Sequence, residues 1–150
     1  MFHRWKQRPK DLEHGDEGFT LIELLVVIII IGILAAVAVP IFLSQRSQAS
    51  DAAVKNDIRT LARGEETYAV STTTYGTIAQ IIADGSSVPV SKTVTLDLLS
   101  YDTQGYCIRG QSNQSNEVWY YDSRAGGLQA KGSAGCPVST GGAPGGSVSG

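Results

Sequence analysis

Residues 18–43 read GFTLIELLVVIIIIGILAAVAVPIFL, and everything else in the chain is arranged around this stretch. From Leu24 to Leu43 no residue carries a charge. A helix of about 20 such residues crosses the ~30 Å hydrocarbon layer of a membrane. The run is apolar on every side, as a helix facing lipid should be. A buried soluble helix of this greasiness would need far more protein around it than a 150-residue chain supplies. That length argues for one domain, two at most.

Working outward to the N-terminus, Met1 to Gly18 forms a leader. It carries Arg4, Lys6, Arg8 and Lys10, then Asp11, Glu13, Asp16 and Glu17. Lys and Arg set the orientation of a membrane segment and acids count little, so the N-terminus is expected in the cytoplasm and the rest of the chain outside. Three readings of the junction compete. Ala36-Val37-Ala38 supplies an A-x-A site for a conventional signal peptidase, which would leave a soluble protein starting at Val39. An uncut run would be a permanent single-pass anchor. The third reading rests on Gly18-Phe19-Thr20-Leu21-Ile22-Glu23.

Those six residues, the uninterrupted run after them and Pro40 near its far end closely resemble the type IV prepilins. The resemblance implies cleavage between Gly18 and Phe19 by a prepilin peptidase, with the apolar run retained and Phe19 N-methylated. It implies that Glu23 meets the N-terminal amine of a neighbouring subunit in a filament. A carboxylate in an apolar helix costs about 2.5–3.5 kcal/mol on insertion scales and is usually functional. A solvated Glu23 at the interface, or one bonded to its own Phe19 amine, are the other readings. Gly32 and Ala36 form a small-xxx-small pair that lets helices approach closely, though such pairs are also ordinary membrane composition. Pro40 removes a backbone donor and should kink the helix. By resemblance, the stretch between Gly32 and Pro40 loosens on assembly. The implied partners are copies of the chain itself, the peptidase, a cytoplasmic assembly ATPase, a membrane platform protein, and the membrane before assembly. The implied location is the cell membrane for the precursor and the cell surface for the fibre.

Beyond Leu43 the sequence turns polar. Val54, Ile58, Leu61 and Tyr68 recur at helical spacing, with Glu65 interrupting. One continuous helix is expected from about Phe19 to Ser71, its second half amphipathic. Asp51 and Lys55 are an i,i+4 pair. Thr77 is placed to cap a short helix to Ala83, with Ile78, Ile81 and Ile82 inward. Strands are expected at Val94–Tyr101, Gly105–Arg109 and Glu117–Asp122, with Leu128–Ala130 a weak fourth. Within Glu117–Asp122, alternation puts Trp119 and Tyr121 on one face, either packed on the helix or exposed for adhesion. The fold class is α+β: a long helix against a small antiparallel sheet. Residues 1–18 are the leader, 19–43 the membrane or filament-core half, 44–71 the amphipathic half and 72–139 the globular domain. Thr140 to Gly150, TGGAPGGSVSG, is expected to be a flexible tail on composition.

Several functions are excluded on the same grounds. A net charge of −2 gives no support for nucleic-acid binding. The only histidines, His3 and His14, precede the run. A mature chain starting after Gly18 therefore has no His-based triad and no His-ligated metal, and no enzyme is expected. No cofactor is implied. Asp97, Asp102 and Asp122 have no spacing that defines a calcium site; turn and surface roles suit them better. Asn113-Gln114-Ser115 fits the glycosylation pattern, as do many unmodified loops. Cys107 and Cys136, the two cysteines, lie in the exported part and are expected to pair, tying the C-terminal segment to the sheet. Many members of the resembled family carry such a loop. A pseudopilin of a type II secretion or competence system shares the same N-terminal motif. The major secretion pseudopilin typically has an acid-rich calcium loop near its C-terminus, and Gly132–Gly150 contains no acid.

Overall fold

The computed structural model describes residues 18–139 and 142–150. Residues 1–17, with the basic residues of the leader and both histidines, and Thr140-Gly141 lie outside the described residues. Helix α1 runs unbroken through Pro40, from Leu21 to Thr72, and two compact units divide at Val39–Pro40.

In the second unit, α1 continues to Thr72 and is followed by α2 (Ile78–Ala83) and five strands. These are β1 (Val94–Tyr101), β2 (Tyr106–Ser112), β3 (Val118–Asp122), β4 (Gly127–Leu128) and β5 (Gly146–Ser149). The sheet order is β4-β3-β2-β1-β5, antiparallel at every pairing. A long helix on a small antiparallel sheet is the α+β arrangement expected from the sequence.

The core is the α1 stripe laid on one face of that sheet. Val54, Ile58, Leu61 and Ala62 meet Val94, Leu96, Leu98, Tyr106, Ile108 and Trp119. Alternation along β1 turns Val94, Leu96 and Leu98 inward. Gly110 on β2 allows the helix its approach: a Cβ there would lie 2.7 Å from Ile58 Cδ1 and 2.8 Å from Val54 Cγ1. Trp119 is buried and Tyr121 packs against the core, so these aromatics serve the helix contact rather than an adhesive patch. Lys55 leaves the expected i,i+4 partner Asp51 and places its ammonium 3.8 Å from the Trp119 ring centroid.

Thr77 caps α2 in a full capping box with Gln80. Ile78 and Ile81 are buried as expected, but Ile82 is 49% exposed. A six-residue helix has room for only one narrow inward stripe.

The C-terminal expectation needs correcting. Composition reads residues 140–150 as a flexible tail, yet Gly146–Ser149 is an edge strand paired with Thr95–Leu98. The glycines there serve close approach. A Cβ on Gly142 would strike the Tyr101 backbone, and one on Gly145 would strike Leu98. Gly145 also donates to the Leu98 carbonyl at 2.8 Å, and its own carbonyl accepts from Ile78 N–H at 2.9 Å.

Glu65 does not interrupt the α1 stripe; it is inside it and fully buried. Its Oε2 accepts the Gly76 N–H at 3.2 Å, across the turn that follows Thr73 (φ 63°, the left-handed helix end). Its Oε1 has no partner among the described residues. Burial pushes this carboxyl up from its usual 4.5 to about 7, against the Gly76 hydrogen bond and with help from the neighbouring Glu66 charge.

Candidate functional site

The Gly18–Glu23 junction forms the start of α1. Gly18, Phe19 and Thr20 are exposed and precede the helix. Thr20 Oγ1 accepts the Glu23 N–H at 3.2 Å. In return the Glu23 carboxylate oxygen Oε2 accepts the Thr20 N–H at 2.8 Å and the Thr20 hydroxyl at 2.7 Å. This is a reciprocal capping box, which satisfies amide donors that a helix start otherwise leaves without partners. Glu23 thus has an intrachain role that none of the sequence readings assigned. The signal was present in the sequence as Thr20-x-x-Glu23. The negative charge also sits at the favourable, positive end of the helix dipole.

Behind the cap, 18 large apolar side chains between Phe19 and Leu43 are exposed, from Leu25 and Val26 near half to Phe19 at 90%. Completing the burial of each is worth about 1 kcal/mol, so on the order of 20 kcal/mol is at stake over the run. That exceeds the whole stability of an ordinary domain, about 5–15 kcal/mol. The helix is long and apolar enough to cross a membrane. Its surface must be covered by lipid or by other chains. Around Gly32 a Cβ would meet nothing within 4 Å, so the small-residue position is open to a partner.

In the second unit, Cys107 and Cys136 are bonded to each other, with Cα atoms 6.0 Å apart. Asp122, fully buried beside them, holds the same segment. Its Oδ2 accepts Val138 N–H (2.8 Å) and Ser139 N–H (3.0 Å), and its Oδ1 accepts Ser139 Oγ (2.6 Å) and Arg124 N–H (3.0 Å). Burial would raise this carboxyl, but the hydrogen bonds outweigh it and hold it below the usual carboxylate range. No sequence signal singled out this anchor. Asp97 pairs with Arg109 at 2.7 Å and Asp102 with Arg124, so each of the three aspartates already has a structural task.

The chain's N-terminal residues 14–39 match the family model described as "Prokaryotic N-terminal methylation motif". Over 107 residues it is 38% identical to the type IV wide pilus major component PilA4 of Thermus thermophilus, covering 69% of this chain and 79% of that protein. The chain belongs to the type IV pilin family. A pilin is a structural subunit and not an enzyme. This pilin is also 50% identical over 56 residues to the narrow pilus major component PilA5 of the same organism, covering 37% of this chain and 46% of that protein. It is 41% identical over 63 residues to type II secretion system core protein G of Pseudomonas aeruginosa, covering 42% and 44%.

Proposed function

We propose that this pilin is the building block of a type IV pilus filament, made as a membrane-held precursor. The observation that carries the reading is a capped helix start, Gly18-Phe19-Thr20…Glu23, leading directly into an apolar run whose large side chains are all exposed. In this reading residues 1–18 are the leader, with its basic residues in the cytoplasm. Residues 19–43 pass from membrane to filament core, residues 44–71 bind the sheet and residues 72–139 form the globular part. A prepilin peptidase cuts between Gly18 and Phe19 and methylates the Phe19 amine. An assembly ATPase and a membrane platform protein supply the work of extraction.

The geometry suits the proposed role of Glu23. The capping box uses Thr20 and survives cleavage after Gly18. Both Thr20 donors go to Oε2. Oε1 therefore remains for the Phe19 amine of a neighbouring subunit, at a carboxylate already held in place. Pairing opposite charges in a low-dielectric core offsets the cost of desolvating them. Gly32 and Ala36 then give a close helix contact, and Pro40 a point where the ladder of helix hydrogen bonds lacks a donor.

Mass spectrometry of the N-terminal peptide is the test. N-methyl-Phe19 is expected; a start at Val39 or an intact Met1 refutes the reading. Processed Glu23→Ala subunits should remain in the membrane and yield few filaments. Normal yield would refute the charge pairing and leave helix packing as the drive.

The match to secretion protein G favours a second reading, a pseudopilin. The absence of acids from Gly132 to Gly150 argues for the pilus. Filaments on cells lacking any type II secretion apparatus would decide between the two.

A further inference from the structure

Arg59 and Arg63 stand one turn apart on the exposed side of α1. With Ala62, Glu66, Thr67 and Tyr121 they line an open cleft of about 580 Å³. Glu66, the carboxylate in this cleft, is already engaged by Tyr106 Oη at 2.9 Å and by Tyr75 Oη at 3.4 Å. The ion pairs among the described residues are Asp97–Arg109, Asp102–Arg124 and Glu117–Lys131, so neither cleft arginine is in one.

Beyond Pro40, only two described carboxylates are exposed, Glu66 and Asp84. Asp84 caps the end of α2 through its backbone, and its side chain has no partner among the described residues. It opens an exposed turn, with Gly85 at φ +92° and open space where its Cβ would lie. The free acid and the free basic cleft therefore belong to different surfaces of one unit. Helix α2 lies along the α1 flank marked by Gly64, where a Cβ would sit 3.0 Å from Ile81 Cγ2. At 3.6 residues per turn, Arg59 and Arg63 lie roughly 100–140° around the helix from Gly64.

We propose that the Arg59–Arg63 cleft receives the Asp84–Gly85 turn of a second copy of the chain. Guanidinium groups a turn apart suit the two oxygens of one carboxylate, and the Tyr121 ring gives the contact an apolar wall. A glycine behind the acid lets the turn enter a narrow cleft. Acid and cleft on different flanks permit a head-to-tail contact that repeats from copy to copy, and in a filament its rotation leaves the series open. Charge pairs of this kind set register and partner choice more than affinity. The apolar helices supply the bulk of the burial, and this contact fixes how each globular unit is rotated on the next. The inference rests on the filament reading above.

Charge reversal tests it in the full chain. Arg59→Glu with Arg63→Glu, and separately Asp84→Lys, should each lower the yield of sheared filaments at least about tenfold, because like charges then face each other. Processed subunit in the membrane should be unchanged. The three substitutions together should restore filaments, and Lys92→Glu, at an exposed cation outside the cleft, should have no effect. As an independent measurement, Arg63→Cys with Asp84→Cys should give a ladder of cross-linked subunits in assembled fibres. Normal yield from either reversed set overturns the contact, and so does failure of both the rescue and the ladder while wild-type fibres form. Absence of fibres from the wild-type chain would instead overturn the filament reading, and the contact with it.

Discussion

The two halves of α1 share one secondary structure and have opposite surroundings. Up to Leu43 the large side chains are apolar and exposed. From Ser50 to Glu65 the buried side chains include Ser50, Asp57 and Glu65 beside Val54, Ile58 and Leu61. The first half is crowded with β-branched residues, which are weak helix formers in water. Helix remains the sensible state there because a lipid-facing segment must satisfy its backbone hydrogen bonds internally. The second half is helical because one stripe of it is covered by the sheet. The lesson is that apolar content does not locate the folded core. The greasiest segment contributes nothing to the core of the globular unit, which is built from a polar-looking stretch.

Paired substitutions would break this comparison most directly. Ile58→Ala should cost the globular unit about 4 kcal/mol, the usual result of opening a cavity in a packed core. Ile30→Ala should leave the same unit unaltered. Urea unfolding of detergent-held subunits, followed by Trp119 fluorescence, reads both. Equal effects would mean that the two halves are not independent.

Next in size is the covalent tie. Replacing Cys107 and Cys136 with serine opens a loop of 29-residue separation. A loss of roughly 3–4 kcal/mol is expected in the same assay from the chain-entropy account. Membrane retention should be untouched.

Glu65 sharpens the contrast through pH. Below pH 4.5 the carboxyl is protonated whether the chain is folded or not, and burial costs little. Above that the unfolded chain ionises while the folded one holds its proton up to about 7, so stability falls across this window and then levels. The full penalty is roughly 3 kcal/mol, from a rise of 4.5 to about 7. Glu65→Gln keeps an acceptor for Gly76 and removes the charge, so it should stabilise the unit at pH 8 and flatten the decline. Asp122 works in the other direction: its lowered value gives stability above the usual carboxyl range that is lost as pH falls. A Glu65→Gln profile parallel to wild type between pH 5 and 8 would show that Glu65 stays ionised.

The smallest effect lies at the helix start. Thr20→Ala removes the cap, worth about 1 kcal/mol locally. Faster amide exchange at Glu23 and Leu24 is expected, with no change in the sheet. Unaltered exchange would show that lipid, rather than the capping box, fixes the first turn.

Much of this was legible in the one-dimensional chain. An uncharged run from Leu24 to Leu43 can only be a membrane-length segment, because charge and length act locally and need no knowledge of partners. The Gly18–Glu23 motif, the Val54-Ile58-Leu61 stripe, the Thr77 cap and the β1 alternation are likewise periodic or short-range signals. The pairing of Cys107 with Cys136 followed from there being only two cysteines. Tertiary structure alone decided the rest. Glycines at 142 and 145 look the same in sequence whether they give freedom or close approach; only the presence of Tyr101 and Leu98 against them distinguishes the two. Glu65 reads as a polar break in the stripe until Gly76 is brought back to it across the helix end. Asp122 is one aspartate among several until its strand delivers it to Val138 and Ser139. In each case the deciding atom comes from a distant part of the chain, and sequence periodicity carries no information about which distant backbone will arrive.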